Sequence, residues 1–349
     1  MAKQPVPRKN KRPSMQNVAE LAGVSRTTVS FVVNETPHAD NIPQETQERI
    51  WAAVKELGYR PNVLAQGLRS SRTKTIGFIS DKIGTTPYAG KILQGAQELA
   101  WEHNILLLYV NTGGNEALKQ AAVDTLLDRQ VDGIIYATMY HRKVDPPESL
   151  QEIPSVLLDC FVEDRSLPSV VPDEIQGGRT ATEFLLKKGH RRIGFAKDIR
   201  PVPAAIGRLK GFKQALAADD VPFEEELVQM GDSWTAGGYQ ATTALMDLPN
   251  PPSAIFCYND RMAMGAYHVL RERNLSIPND VAIVGFDDQE LIASELRPPL
   301  TTVALPHYEM GQWAVEHLLD LVEQQLKGEP PGQPVQQMLE CPLIERESV

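Results

Sequence analysis

The sequence predicts a chain of two unlike parts, a small all-α headpiece and a large two-lobed α/β body, joined by a short segment. Three observations predict this. Apolar residues recur at helical spacing, with caps and stops, through residues 14–60; beyond Thr75, strand-like apolar runs alternate with helical ones in two successive rounds; and the charge divides between the parts. Residues 1–74 hold 12 Lys and Arg against 6 Asp and Glu, a balance of +6, whereas the remainder holds 23 against 39, a balance of −16. The overall charge of −10 therefore conceals a basic module able to gather phosphates and an acidic body that a polyanion repels.

A length of 349 residues allows two or three domains, and 42% hydrophobic content suffices for a sizeable core. No apolar run approaches the roughly 18 residues that cross a membrane. The N-terminal stretch also lacks an apolar segment for secretion, so the expected location is the cytoplasm, with no membrane partner. Cys160, Cys257 and Cys341 lie far apart and off metal-ligand spacing. Buried thiols are expected there, with no disulfide, metal or cofactor.

In chain order, residues 1–13 set Pro5, Pro7 and Pro13 among five cations and read as a disordered basic arm. Ser14 is an N-cap for a helix whose Val18, Ala19, Leu21 and Ala22 form an apolar stripe, and Gly23 stops it. Ser25 caps a second helix with Val29, Val32 and Val33 facing inward, which leaves Arg26, Thr27, Thr28, Ser30, Phe31 and Asn34 for other faces. Periodicity alone also fits a plain helical hairpin. Two short helices about a tight turn nevertheless match the helix-turn-helix, whose second helix enters the DNA major groove with its N-terminal side chains leading. A third helix starts after Pro43, buries Ile50, Ala53, Val54 and Leu57, and ends at Gly58, giving a headpiece over 14–60.

Then comes Tyr59-Arg-Pro-Asn-Val-Leu-Ala-Gln-Gly-Leu-Arg-Ser-Ser-Arg-Thr-Lys74, followed by the strand Ile76-Gly-Phe78. The order of helix-turn-helix, third helix ending Leu-Gly-Tyr, Arg-Pro-Asn and a short segment ending in Leu resembles the lactose-repressor/galactose-repressor family of bacterial transcription factors. The resemblance implies a hinge helix within 61–73 that forms on DNA, with Leu68 pressed between base pairs in the minor groove, Ala65 beside it and Asn62 at its start. The physics agrees: a helix of about eight residues is marginal alone, and an apolar wedge trades unstacking for a kinked duplex. A plain linker with an incidental leucine is the bland alternative.

From Thr75 the expected strands are 76–80, 105–110, 133–136, 155–158, 192–196, 227–230, 254–257 and 281–284, with helices at 88–103, 115–129, 174–188, 205–218, 236–246 and 261–273. Such alternation predicts parallel sheets with helices on both faces and a cleft at the strands' carboxyl ends. Gly189-His-Arg-Arg-Ile-Gly-Phe195, Arg208-Leu-Lys-Gly-Phe212, Tyr258-Asn-Asp-Arg-Met-Ala-Met-Gly-Ala266, Asp280-Val-Ala-Ile-Val-Gly-Phe-Asp-Asp288 and Arg297-Pro-Pro-Leu-Thr-Thr-Val303 extend the resemblance. They make the body, 74–349, similar to the family's periplasmic-binding-protein-like (type I) domain. The expected N-lobe is about 74–171 with 300–332, and the C-lobe about 172–299 with 333–345.

A sugar-like ligand needs carboxylates, amides and a guanidinium between apolar walls. Asp159, Asn259, Asp260, Asp287 and Asp288 all follow predicted strands. The resemblance puts Asp159, Asn259 and Asp287 at ligand-contacting positions, Arg208 at the effector arginine, Tyr88 at an aromatic wall and Ser233 at another, with Trp234 next to it. Helix capping is the competing reading for Asp260 and Asp288, and a core position for Met262 and Met264. His190, in a helix-to-strand turn, reads as structural. No Walker loop, nucleophile elbow or His-Glu-x-x-His is present, so no catalytic set is assigned.

The expectation is a homodimeric repressor on a pseudo-palindromic double-stranded operator, governed by a small molecule for which a carbohydrate is the expected class. Arg26, Thr27 and Phe31 depart from the best-known members, so the operator should differ from theirs; the loop after Asn34 is also longer. Residues 318–326 read as a helix within the lobe, and no leucine heptads end the chain, which favours a dimer. A solute-binding protein for sugar uptake is the alternative, opposed by the basic head, and an enzyme with a DNA-targeting head lacks a catalytic set.

Overall fold

The computed structural model describes residues 13–34, 36–60, 72–86, 89–330 and 332–349. The basic arm through residue 12, the hinge residues Asn62, Ala65 and Leu68, and Tyr88 lie outside them. The chain divides into two compact units, Met1–Lys74 and Thr75–Val349.

In the first unit, α1 (Met15–Ala22), α2 (Arg26–Val33) and α3 (Gln44–Leu57) close around Val18, Ala19, Ala22, Val29, Val32, Val33, Ile50 and Ala53. Local chemistry sets each end. Ser14 and Asn17 exchange hydrogen bonds in a capping box, Gly23 takes φ 67° to stop α1, and Ser25 Oγ accepts from the Thr28 amide at 3.0 Å. Gly58 ends α3 at φ 61°. Leu21, placed by its spacing in the inward stripe, is instead 47% exposed. An eight-residue helix has room for only a narrow buried face, and Val18, Ala19 and Ala22 fill it.

The second unit begins with β1 (Thr75–Ser80), α4 (Gly90–Glu102), β2 (Leu106–Asn111), α5 (Glu116–Asp128), β3 (Gly133–Lys143), β4 (Ser155–Phe161) and β5 (Ser169–Pro172). It continues with α6 (Glu174–Lys187), β6 (Ile193–Asp198), α7 (Pro203–Ala218), β7 (Val228–Gly231), α8 (Thr235–Met246), β8 (Ala254–Cys257), α9 (Asp260–Glu272) and β9 (Ala282–Asp287). The last elements are α10 (Glu290–Ala293), β10 (Thr301–Ala304), α11 (His307–Lys327), β11 (Gln336–Leu339) and β12 (Leu343–Ile344).

Two six-stranded sheets result, ordered β11-β5-β4-β3-β1-β2 and β12-β10-β9-β8-β6-β7. All pairings are parallel except β10 with β12. Their central strands are near-continuous apolar runs because helices cover both faces. Cys160, Cys257 and Cys341 are buried free thiols.

The lobe boundaries differ from the expected ones. β10 pairs with β9 and so joins the second sheet, not the first, while β11 pairs with β5 in the first sheet, not the second. The chain thus crosses between lobes near 173, 305 and 341. Four-residue strands carry too little periodicity to be told from loops, and only their pairing reveals them. Two other elements outrun expectation. β3 continues past Tyr136 to Lys143, and the helix expected over 318–326 starts at His307, burying Met310, Gly311, Ala314, Val315, Leu318, Leu319 and Val322 along one face.

Candidate functional site

Strand order reverses beside β1 in the first sheet and beside β6 in the second, and at such switch points the loops leaving the strands part to open a crevice. A cavity of about 1050 Å³ lies there. Asp159, Arg208, Ser233, Trp234, Asn259 and Asp287 all line it, joined by Glu174, Asp81, Tyr140, His141, Arg142 and Arg200.

Arg208 is the centre of the second lobe's wall. It sits on α7, which packs against α6 so closely that a Cβ on Gly178 or Gly211 would strike the opposite backbone. That approach brings Glu174, the first residue of α6, within reach. Arg208 Nε donates to Glu174 Oε2 at 2.7 Å, and Nη1 donates to the Tyr258 carbonyl at 2.5 Å and to Asp287 Oδ1 at 3.4 Å. The guanidinium also lies over the Phe286 ring, 3.6 Å from its centroid. Burial alone would lower its pKa, but Glu174, Tyr258 and Asp287 outweigh it and hold the charge firmly. Nη2 donates to no described residue, which leaves one edge of the fork toward the cavity.

Asp159 directly follows the expected strand, inside the longer β4, in the left-handed region at φ 57°, and its Oδ1 is buried without a hydrogen-bond partner. Burial, reinforced by the Glu174 charge, pushes its pKa well above the ordinary carboxylate range. Asp287, at φ 102°, accepts from Gln289 Nε2 at 3.0 Å; burial raises its pKa while Arg208 opposes the rise. Two non-glycine residues held at positive φ in one cavity are strain of the kind that clusters at binding sites.

Asn259 is occupied by structure. Its Oδ1 caps α9 by accepting from the Met262 amide at 2.8 Å, and its Nδ2 donates to the Ser233 carbonyl at 3.0 Å. Ser233 Oγ accepts from Arg200 Nη2 at 3.0 Å, and Arg200 in turn grips the buried Asp198. Trp234 is 60% exposed, with Arg261 over its ring at 4.4 Å. The capping role considered for Asp260 thus belongs to Asn259; Asp260 accepts from Thr302 Oγ1 and the Gln289 amide, and Asp288 pairs with Arg346. Met262 is core, and His190 Nδ1 bonds Ser253 Oγ.

Beyond Asp159, which stands on β4, the first lobe's contribution was not foreseen. Asp81 accepts from the Lys82 and Met139 amides and pairs with Arg142 at 2.7 Å, while the guanidinium groups of Arg142 and Arg200 lie 4.9 Å and 5.6 Å from the centroid of the Tyr140 ring. Tyr140 and Arg142 stand on the extension of β3, which its non-alternating sequence hides, whereas Asp81 directly follows β1 and Arg200 follows β6 of the second lobe. Glu174 had one faint signal, an acidic residue opening a helix after Asp173.

In the headpiece, Ser25, Arg26 and Thr27 at the start of α2 are exposed, and Thr28, Phe31 and Asn34 are half-buried. Ser30 departs from expectation. It is buried, and its Oγ accepts from Asn34 Nδ2 at 3.0 Å, so it faces the helix pack and not solvent. The Phe31 ring rests 4.9 Å from that of His38.

A helix-turn-helix head and a separate two-lobed unit with a polar cleft define a DNA-binding regulator controlled by a small molecule. Residues 14–62 match the family described as "Bacterial regulatory proteins, lacI family", and residues 73–336 match "Periplasmic binding proteins and sugar binding domain of LacI family". The chain belongs to the lacI family of bacterial transcriptional regulators. It is 32% identical to the ribose operon repressor of Escherichia coli K12 over 89% of its own length and 93% of that protein's. It is 34% identical to the transcriptional regulator RegA of Clostridium saccharobutylicum over 96% and 98%. Among solved structures, the lac repressor dimer bound to operator and the anti-inducer ONPF matches with a TM-score of 0.77 at 29% identity, covering 97% of this chain and 99% of that one. The complex of the transcriptional regulator CelR with cellobiose matches at 0.67 and 31%, covering 97% and 100%. With both the head and the body accounted for, the uptake-protein alternative is not favoured. Among the described residues, no helix is long and apolar enough to cross a membrane.

Proposed function

We propose that this regulator is a homodimeric cytoplasmic repressor whose operator affinity is set by a carbohydrate in the cleft. Arg208 with Asp159 and Asp287 would bind the sugar, Ser233 and Trp234 would wall it, and Asn259 would position that wall. On the DNA side, Arg26 is suited to guanine and Thr27 to a base edge or thymine methyl. Ser25, Thr28, Phe31 and Asn34 would lie along the groove, and Asn62, Ala65 and Leu68 would act in the minor groove. Ser30 is dropped from that set because it is buried. Tyr88 is retained on the resemblance alone.

One observation carries the effector reading: a pinned, buried guanidinium beside an unpartnered buried carboxylate in a cavity of about 1050 Å³. That pairing of fixed donor and open acceptor suits hydroxyl groups, which both donate and accept. Apart from Asp159 and His141, the polar side chains described above are engaged as ion pairs, caps and walls, and none of them forms a nucleophile with its base, so the cleft reads as a receptor and not an active site. A sugar that prefers one arrangement of the lobes shifts operator affinity by its differential affinity for the two states, and operator shifts sugar affinity by the same factor.

The test is a thermal-shift screen of neutral sugars, since a ligand of the folded state alone raises its melting temperature. A hit is then titrated into the operator complex. A sugar that stabilises wild type, fails with Asp159→Asn and alters operator affinity fits the proposal; a sugar that stabilises Asp159→Asn equally well removes Asp159 from it.

A further inference from the structure

The first lobe's wall contains a large irregularity. β3 and β4 register Ala137 with Leu158 and next Arg142 with Cys160, so residues 138–141 stand opposite Asp159 alone. Thr138 Oγ1 holds this bulge, its one proton shared between the carbonyls of Tyr140 at 3.0 Å and Asp159 at 2.9 Å. Bulges re-aim side chains. One step back from the resumed Arg142–Cys160 register, His141 falls opposite Asp159, and both line the cavity.

These two side chains share a property. His141 Nδ1 and Asp159 Oδ1 are both buried without a hydrogen-bond partner, whereas neighbouring Asp81 and Arg142 are paired with each other. Among the described residues, Phe161 packs on the His141 ring, edge-on at 5.6 Å. Burial first, then the charges of Arg165 and Arg208, push the imidazole pKa down to about 4, so near neutral pH one ring nitrogen donates and the other accepts. A buried polar group left unpaired costs about 1–3 kcal/mol. Two of them adjacent on a cavity wall mark a place that something else completes.

We propose that His141 is a ligand-reading residue, and that it and Asp159 take two neighbouring hydroxyl groups of a neutral sugar. This rests on the carbohydrate reading above and names the part of the ligand it concerns. One hydroxyl donates to the Asp159 carboxylate, and its neighbour bonds the imidazole. An anionic group is disfavoured at this end, because Asp159, Glu174 and Asp287 already share the single guanidinium of Arg208.

The experiment uses the full-length protein and a panel of neutral mono- and disaccharides that includes D-ribose and cellobiose. A sugar whose stabilisation is lost in Asp159→Asn is carried into calorimetry with wild type, His141→Ala and His141→Gln, alongside its monodeoxy analogues. His141→Ala should weaken binding about tenfold, an unpaired-group effect, with His141→Gln recovering part of it. One deoxy analogue should lose affinity for wild type but not for His141→Ala, a coupling that a merely structural histidine does not produce. Equal affinities in wild type and His141→Ala, or the same deoxy penalty in both, overturns this inference and leaves the carbohydrate reading standing. A panel in which no sugar stabilises the protein overturns both.

Discussion

Arg208→Met tests how the inner end of the cleft is built. Methionine keeps much of the apolar contact with Phe286 and removes the charge. In the wild type the guanidinium is 3% exposed and lies 2.7 Å from Glu174 and 3.4 Å from Asp287. Its loss strands two carboxylates near a third, Asp159. Breaking a buried pair in this way costs about 3–5 kcal/mol, which for a unit of this size lowers the melting temperature by roughly 10 °C. The sign with pH follows from the direction of the shifts. Burial already raises Asp159 and Asp287, and without Arg208 they rise further, so the folded variant holds protons that the unfolded chain releases. Stability then falls as pH climbs above the unfolded carboxylate value of about 4. Scanning calorimetry should show the deficit largest near pH 8 and shrinking toward about pH 4.5. A variant that melts with wild type near neutral pH, or a deficit independent of pH, refutes this account of the site.

Asp159→Asn removes a buried carboxylate that no described residue pairs, so it should raise the unliganded melting temperature at neutral pH, by an amount that vanishes near pH 4, while weakening sugar binding. An unchanged melting temperature at neutral pH would mean the carboxylate is well solvated. Gly211→Ala sets a methyl against the Ile175 carbonyl and Arg179 amide; urea unfolding should show a loss of about 1–3 kcal/mol from overpacking, and a wild-type midpoint would count against the close crossing of α6 and α7. Leu68→Ala should weaken binding to operator fragments in a gel-shift titration while leaving sugar binding intact; equal DNA affinity would remove the minor-groove wedge.

Much of the headpiece was legible because its signals are local. Ser14, Gly23, Ser25 and Gly58 set helix ends through hydrogen bonds and backbone angles within a few residues of themselves. Leu21 and Ser30 were misread because an eight-residue helix offers several nearly equivalent faces, and the packing partner selects one. In the body, polar residues directly after apolar strands announced Asp159, Asn259 and Asp287, since a parallel sheet delivers every strand's carboxyl end to the same side. Tyr140, His141 and Arg142 gave no such notice. They belong to a bulge whose existence depends on how β3 registers against β4.

The sequence by itself determined the division into a basic helical head and an acidic α/β body, the order of nearly all the elements, and the residue types that meet at the cleft. Charge balance and apolar period are properties of short windows and survive without coordinates. Only the tertiary structure decided which lobe owns β10 and β11, that Asn259 is occupied as a cap while Asp159 and His141 are left without partners, and that Arg208 is held by Glu174, Tyr258 and Asp287. Those partners lie 34, 50 and 79 residues from Arg208, and no local pattern encodes which distant group reaches a buried charge first.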